Sequence, residues 1–331
     1  MQKVLITGVN GFIGSHIAER MIKNGMQVYG LVRITSDLSL IEGLSISLRY
    51  GDITDAESVQ KAVSGMDIVI HNAGLASDWG SLELFKKINF YGTQNIVKAS
   101  MEAGVRRFVL MSSVAIHGFG SEQTMNEQSP IKTHGFHYNI SKWEAEKWTF
   151  EYTKNSAMEV SAVRPGNVFG PKDHTFIEKY LDVLVKGQGG YVNGGHSLTC
   201  PVYVGNLSHA VYLAATHPKA AGETFIITDG YDITWRQFTE QLCEKMGIKP
   251  PNLSIPFAIG NPLALTLEKI YLWTRQTSAP LLTSYRMHNG GKNYHFSIEK
   301  IKNLLGYSLE TPLDEALERT VAWYKALLKN N

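Results

Sequence analysis

Lys3-Val4-Leu5-Ile6-Thr7-Gly8-Val9-Asn10-Gly11-Phe12-Ile13-Gly14 stands almost at the start of the chain, and the fold follows from it. Val4-Leu5-Ile6 is an unbroken apolar run, as expected of a strand buried on both faces. The three glycines that follow suit a tight turn, close approach of backbone to a pyrophosphate, and close packing of helix on strand. A helix starting near Gly11 turns its positive end toward such phosphates. Glycine turns alone are common. With a strand before and a helix after, Gly8, Asn10, Gly11, Phe12, Ile13 and Gly14 read as a dinucleotide-binding turn.

Outward from this motif, short β-rich runs alternate with helical patterns, the signature of a parallel sheet covered by helices on both faces. Strands are predicted at Lys3–Thr7, Gln27–Val32, Ser45–Tyr50, Asp67–His71, Arg107–Met111 and Val160–Arg164. Helices are predicted at Gly11–Asn24, Asp55–Ser64, Leu82–Ala103 and Tyr138–Lys154, with Thr54 and Glu57 as a capping box for the second. After about residue 170 the rhythm loosens. Gly187, Gly189, Gly190, Gly194 and Gly195 suggest a loop region, and helices follow at Thr234–Met246, Ser297–Leu305 and Pro312–Leu328, the last with Thr311 as its cap. The expected fold class is α/β: a Rossmann-type doubly wound parallel sheet over residues 1–170. A smaller C-terminal substrate-binding lobe occupies residues 171–331, with some segments returning to the sheet.

The 331 residues suffice for a large core, and a hydrophobic share of 44% is that of an ordinary folded protein. A net charge of +2, from 32 basic and 30 acidic residues, gives no reason to expect a nucleic-acid partner. Cys200 and Cys243 form no disulfide framework or metal spacing, so no metal is expected and a reducing, cytoplasmic location is. Met1-Gln2-Lys3 runs directly into the first strand, too abruptly for a signal peptide. The apolar stretch Leu253–Trp273 is interrupted by Pro256, Gly260, Asn261, Pro262, Glu268 and Lys269. It is expected to be a core or pocket-covering helix, with peripheral membrane contact at most.

The end of the second strand bears on cofactor choice. An acidic residue there would bond the ribose hydroxyls of NAD, whereas an arginine pairs with the 2′-phosphate of NADP. Arg33 occupies the position and the nearest acid is Asp37, so NADP(H) is favoured and NAD(H) remains possible. Asp52 and Ile53, after the third strand, are candidates for holding the adenine. Asn72, Ala73 and Gly74, after the fourth, can let a ribose lie against the backbone.

Tyr138 and Lys142 are one helical turn apart on one face. A phenol of pKa near 10 is a poor base at pH 7. A lysine charge ~5 Å away, at an effective dielectric of ~20, favours tyrosinate by about 3 kcal/mol, or roughly two pKa units, before desolvation opposes it. Tyr138 can then carry a proton in either direction of a carbonyl/alcohol interconversion, and Lys142 can also reach the nicotinamide ribose. Ser112-Ser113 stands at the C-terminal end of the fifth strand, where open α/β sheets place ligands.

Together these residues resemble the extended branch of the short-chain dehydrogenase/reductase superfamily. The resemblance rests on the glycine motif, Asp52, Asn72-Ala73-Gly74, Asn89, Ser112-Ser113, Tyr138-x-x-x-Lys142 and Arg164-Pro165-Gly166-Asn167-Val168-Phe169-Gly170-Pro171. It implies that Ser113, Tyr138 and Lys142 are catalytic with Asn89 completing the set, and that Pro165, Asn167 and Val168 line the nicotinamide. It also implies a homodimer through the helices carrying Asn89 and Tyr138.

Within that branch, 4,6-dehydratases carry an acidic pair where Val114-Ala115 stands here, so elimination lacks its acid and base. His117 stands where epimerases usually have a tyrosine, and a packing role is expected of it. In the C-terminal half, Pro201–Leu207, Gly222–Asp229, Trp235-Arg236-Gln237-Phe238 and Gly306-Tyr307 resemble the 3β-hydroxysteroid/sterol dehydrogenase subgroup. The expected activity is hydroxyl/ketone interconversion on a hydrophobic, sterol-like or lipid-like substrate. A nucleotide-sugar 4-epimerase is the alternative, and a non-catalytic dinucleotide sensor a weaker one.

Overall fold

The computed structural model describes residues 1–330. The first half alternates as the sequence predicts: β1 (Lys3–Thr7), α1 (Phe12–Lys23), β2 (Gln27–Val32), β3 (Ile46–Tyr50), α2 (Ala56–Val63) and β4 (Ile68–His71). α3 (Leu82–Phe85) runs through a π-helical stretch at residues 86–91 into α4 (Gly92–Glu102), and β5 (Arg107–Met111), α5 (His137–Thr153) and β6 (Glu159–Pro165) complete the half. The predicted helix over Leu82–Ala103 is therefore not regular. Its wide turn carries Asn89, and such π-turns gather at functional sites. The predicted Thr54/Glu57 capping box is not formed either. Asp55 caps α2 by accepting from the Glu57 N–H, because the Thr54 hydroxyl is spent on Asp52.

The second half begins with β7 (Asn167–Phe169), α6 (Ile177–Val185), β8 (Gly190–Val192), β9 (Leu198–Thr199), β10 (Pro201–Tyr203) and α7 (Val204–Thr216). It continues through β11 (Thr224–Ile227), β12 (Ile233–Thr234), α8 (Trp235–Met246), β13 (Leu253–Ile255) and α9 (Phe257–Trp273) to α10 (Ser284–Gly291), α11 (Glu299–Leu305) and α12 (Leu313–Asn330). The glycine-rich stretch expected as loop includes β8, which pairs with β13 in parallel. α12 starts at Leu313, and Pro312 stands just ahead of it with its carbonyl accepting from Ala316.

β11 rejoins the first half, making one parallel seven-stranded sheet in the order β11-β6-β5-β4-β1-β2-β3. Alternation along the strands sorts the core onto two faces. Val4, Ile6, Ile68 and Ile70 pack with α1 and α7, while Leu5 and Val69 pack with α2 and α4. A separate apolar cluster joins α6, α8 and α12 in the C-terminal half. α8 opens with a capping box of Thr234 and Gln237.

α9 is not a core helix, since only Gly260 and Ala264 are buried along it; the pocket-covering alternative is the one it meets, because Glu268 and Leu272 border a cavity. Among the described residues, no helix is long and apolar enough to cross a membrane.

Candidate active site

The C-terminal ends of β1, β4, β5 and β6 converge on one cleft. Gly8 adopts φ +65°, and a Cβ there would meet Ala73 Cα at 3.0 Å. A Cβ on Gly14 would lie 2.0 Å from the Gly8 carbonyl oxygen, so α1 can approach the turn only through glycine. Gly14→Ala is expected to displace the turn at a cost of about 1–3 kcal/mol and to weaken dinucleotide binding at least about tenfold. Fluorescence titration and thermal melting of the variant would check this.

Behind the turn runs a buried chain of hydrogen bonds. The Thr93 hydroxyl donates to the Asn89 carbonyl (2.6 Å), so toward His71 it can only accept. His71 therefore donates through Nε2 (3.0 Å) and accepts at Nδ1 from Thr7 Oγ1 (2.8 Å), which in turn accepts from the Ala73 N–H (2.9 Å). Burial, with help from the Lys142 charge, pushes the His71 imidazole down to about 3 and keeps it neutral. This chain joins β1, β4 and the π-turn. It lies below sequence resolution, since Thr7 and His71 are 64 residues apart.

Asn89 has no free polar group for a substrate. Its Oδ1 accepts from the Leu75 N–H (2.7 Å), and its Nδ2 donates to the Leu75 carbonyl and the Ser141 hydroxyl, both at 3.0 Å. The side chain thus fastens the segment after Gly74 to α5, and Asn89 is a positioning residue.

Tyr138 and Lys142 share α5 as predicted. Lys142 Nζ donates to the Met111 carbonyl at 2.6 Å, at the end of β5. Burial pushes this amine down to about 8, with the Glu146 carboxylate pulling the other way. Ser113 starts a short 3-10 turn by accepting from the Ala115 N–H (3.1 Å). Burial raises the Tyr138 phenol above its ordinary value of 10 and outweighs the Ser113 side chain, whose hydrogen bond favours ionisation. The expected depression of Tyr138 is therefore not realised, because desolvation dominates.

Ser113, Tyr138 and Lys142 border a cavity of about 210 Å³ together with Phe12, Ile13, Asn72, Gly74, Pro165 and Val168. The Ser112 hydroxyl, also on this cavity, is buried without a hydrogen-bond partner. The first turn of α1 carries no side-chain cap and no acidic residue. A free hydroxyl, an uncapped helix start and a turn that admits only glycine fit a dinucleotide.

The other predicted residues lie apart. Asn10 donates to the Asp37 carbonyl (3.0 Å), tying the turn to the loop after β2. Arg33 is exposed at the end of β2. Asp52 Oδ1 accepts from the N–H and hydroxyl of Thr54, both at 2.8 Å. Partial burial pushes this carboxyl up, but the Thr54 bonds, with Arg33 and Lys87, hold it below its ordinary value. Ile53 is buried against Gly92. Asn167 is not among the residues that border the cavity. Its amide is committed to Thr199 (3.0 Å) and Asn289 (3.3 Å), and the neighbouring Gly166 borders the cavity instead.

His117 is a packing residue, as expected. It accepts at Nε2 from Arg164 (3.0 Å) and donates from Nδ1 to the Pro130 carbonyl (3.3 Å), and burial with the Arg164 charge pushes it down to about 4. Arg164 also pairs with Glu146, and both are buried. Sequence reading did not find this pair.

A second cavity, about 780 Å³, opens on the other side of Tyr138. Its walls come from the segment before α3, the start of α5, and α9 with α10. Leu82, Leu84, Phe85, Phe136, Leu272 and Tyr285 contribute apolar surface. The charged residues that line it are Asp78, Glu83 and Glu268, and none is a lysine or arginine.

Comparison with known proteins identifies the family and the fold. The chain is 28% identical over 96% of its length to an Arabidopsis thaliana 3beta-hydroxysteroid-dehydrogenase/decarboxylase, isoform 2, but spans only 61% of that protein. It is 26% identical to a 2-alkyl-3-oxoalkanoate reductase of Shewanella oneidensis, over 96% of this chain and 85% of the other. Its fold matches the Thermus thermophilus UDP-glucose 4-epimerase complex with NAD at a TM-score of 0.79 and 23% identity, over 98% and 99% of the two chains. The family model described as 3-beta hydroxysteroid dehydrogenase/isomerase matches residues 5–257, and the chain belongs to that family.

Proposed function

We propose that this protein is a nicotinamide-dinucleotide-dependent oxidoreductase that interconverts a hydroxyl and a ketone on an apolar, sterol-like or lipid-like molecule. The observation that carries the substrate reading is the 780 Å³ cavity against Tyr138. It has the size of a small-molecule site, mixed aromatic and aliphatic walls, and carboxylates as its charged lining residues. The carboxylates Asp78, Glu83 and Glu268 on its wall, of which Asp78 is paired with Arg286, make it a poor seat for a diphosphate, which counts against the epimerase reading. The names of the steroid dehydrogenase and oxoalkanoate reductase relatives support the same class.

A nicotinamide held by the glycine turn and the cavity beside Tyr138 would supply or accept the hydride. The chain's own residues handle the proton. Ser113 holds the substrate oxygen beside the Tyr138 phenol, which donates its proton when a ketone is reduced and takes one back when an alcohol is oxidised. Lys142, anchored on the Met111 carbonyl, supplies the charge that makes this transfer easier. Gly8, Gly11 and Gly14 shape the phosphate turn, Phe12, Ile13 and Asn72 border the cofactor cavity, and Pro165, Gly166 and Val168 form its far wall.

Arg33, with no acid at the end of β2, supports NADP(H) over NAD(H). The exposed Tyr91 and Tyr152 on the helices bearing Asn89 and Tyr138 support a homodimer through that face. The two buried free thiols suit a reducing, cytoplasmic setting.

Initial rates with NADPH and NADH against steroid, β-keto-lipid and nucleotide-sugar panels test the reading. Turnover is expected with an apolar ketone or alcohol and preferentially with NADP(H). Turnover with nucleotide sugars alone would overturn it. In the reductive direction both Tyr138 and Lys142 must hold their protons. Because Lys142 titrates at about 8 and Tyr138 above 10, kcat/KM is expected to be level at lower pH and to fall above about pH 8. Lys142→Met should lower activity and remove that limb of the pH profile.

A further inference from the structure

α5 carries Tyr138, Lys142 and Glu146 at four-residue spacing, so the three side chains follow one another along one face of the helix. Tyr138 and Lys142 have roles in the proton transfer. Glu146 is a buried carboxylate in the same row, one turn beyond the amine, and it borders neither cavity.

Its position is closely fixed. Arg164 Nε donates to both carboxylate oxygens (3.2 and 3.0 Å), and Nη2 donates to Oε1 as well. Through Nη1 the same guanidinium donates to His117 Nε2 (3.0 Å), at the end of the 3-10 turn that Ser113 begins. Arg164 also directly precedes Pro165, which borders the smaller cavity. Glu146 is thus held by a brace that joins α5 to the Ser113 turn and to the end of β6.

Lys142 needs a counter-charge that its own hydrogen bond does not supply. The surrounding protein desolvates its ammonium, and the acceptor it bonds is the neutral Met111 carbonyl. Neutral surroundings favour the uncharged amine. The titratable groups that face it are Tyr138 and Glu146 on its own helix and His71 on β4. His71 is pushed down to about 3 and stays neutral, and the Tyr138 phenol is raised and keeps its proton. Of these groups only Glu146 is negatively charged, and its carboxylate opposes the effect of burial on the amine. Lys142, Glu146 and Arg164 together leave one positive charge, which suits a phenolate forming at Tyr138.

We propose that Glu146 is a positioning residue for the proton transfer at Tyr138: its carboxylate, fixed by Arg164 and His117, keeps the Lys142 side chain charged at neutral pH from one helical turn away. The inference rests on the role given to Lys142 above.

The test is a titration of the full chain with 13C-labelled lysine side chains, the Lys142 Cε resonance being assigned by its loss in Lys142→Met. A midpoint of about 8 is expected in the parent. Glu146→Gln, which keeps an acceptor for Arg164 but removes the charge, should lower the midpoint by about one pH unit. Glu146→Asp keeps the charge, and its midpoint should stay nearer the parent's. The pair Arg164→Met, Glu146→Leu removes the carboxylate without stranding the guanidinium. It reads the same shift should the melting curve show that the glutamine variant is unfolded. An unchanged midpoint in the folded charge-free variant overturns the proposal. So does an aspartate variant that shifts as far as the charge-free one, because packing and not charge would then be the cause. The titration contains no substrate or nucleotide, so its failure would leave the oxidoreductase reading standing.

Discussion

Tyr138→Phe is expected to lower kcat by about 10²–10⁴-fold while dinucleotide affinity stays within about twofold of the parent. The phenol oxygen is the one proton carrier placed among Ser113, Lys142 and the two cavities. Phenylalanine keeps the ring, which packs edge-on against Phe85 at a centroid separation of 6.4 Å, so the local fold should hold. The turn around Gly8–Gly14, which shapes the phosphate site, is left unchanged. Single-turnover rates with titration of the bound nucleotide separate the two effects. Turnover at the parental rate would remove Tyr138 from the mechanism. Loss of nucleotide binding in step with activity would show that the phenol serves mainly to hold the cofactor.

Arg164→Met should destabilise the fold by about 3–5 kcal/mol, a large share of the stability of an ordinary domain. Arg164 is 5% exposed and its partner Glu146 only 2%. The guanidinium satisfies three groups at once: the Glu146 carboxylate, His117 Nε2 at 3.0 Å and the Glu127 carbonyl at 3.3 Å. Methionine keeps much of the volume but strips a buried carboxylate of its paired guanidinium, leaving only the Lys142 charge to act on it. The companion Arg164→Met, Glu146→Leu should recover most of the loss, because the orphaned charge causes the damage and not the missing attraction. Urea denaturation midpoints of the single and double variants decide the matter. A single variant that unfolds at the parental midpoint would show that the pair does not support the core.

The same pair shows what sequence reading passes over. Arg164 stands inside a predicted strand and Glu146 inside a predicted helix, 18 residues apart. Nothing in the pattern of either element says that their charges meet. The Asn89 region is similar: its hydrophobic rhythm reads as one regular helix, and the π-turn arises from bonds to Leu75 and Ser141 on other segments. Asp55 took the cap expected of Thr54 because a neighbouring carboxylate, Asp52, captured the threonine hydroxyl. Tyr138 was expected to ionise more easily beside Lys142. Its degree of burial, which no spacing reveals, moves it the other way.

Local pattern by itself determined the parallel sheet, the glycine turn, and the placing of Ser113, Tyr138 and Lys142 at the sheet's C-terminal edge. Those features depend on strand period, helix period and the conformational needs of glycine, all of which act over a few residues. Tertiary packing alone decided that Asn89 positions, that His71 stays neutral and that Asn167 is spent on Thr199 and Asn289. It also left the outer face of α9 bare and the larger cavity with no lysine or arginine among its lining residues. Each of these depends on desolvation or on partners brought together from distant parts of the chain, and neither is written in the spacing of residues along it.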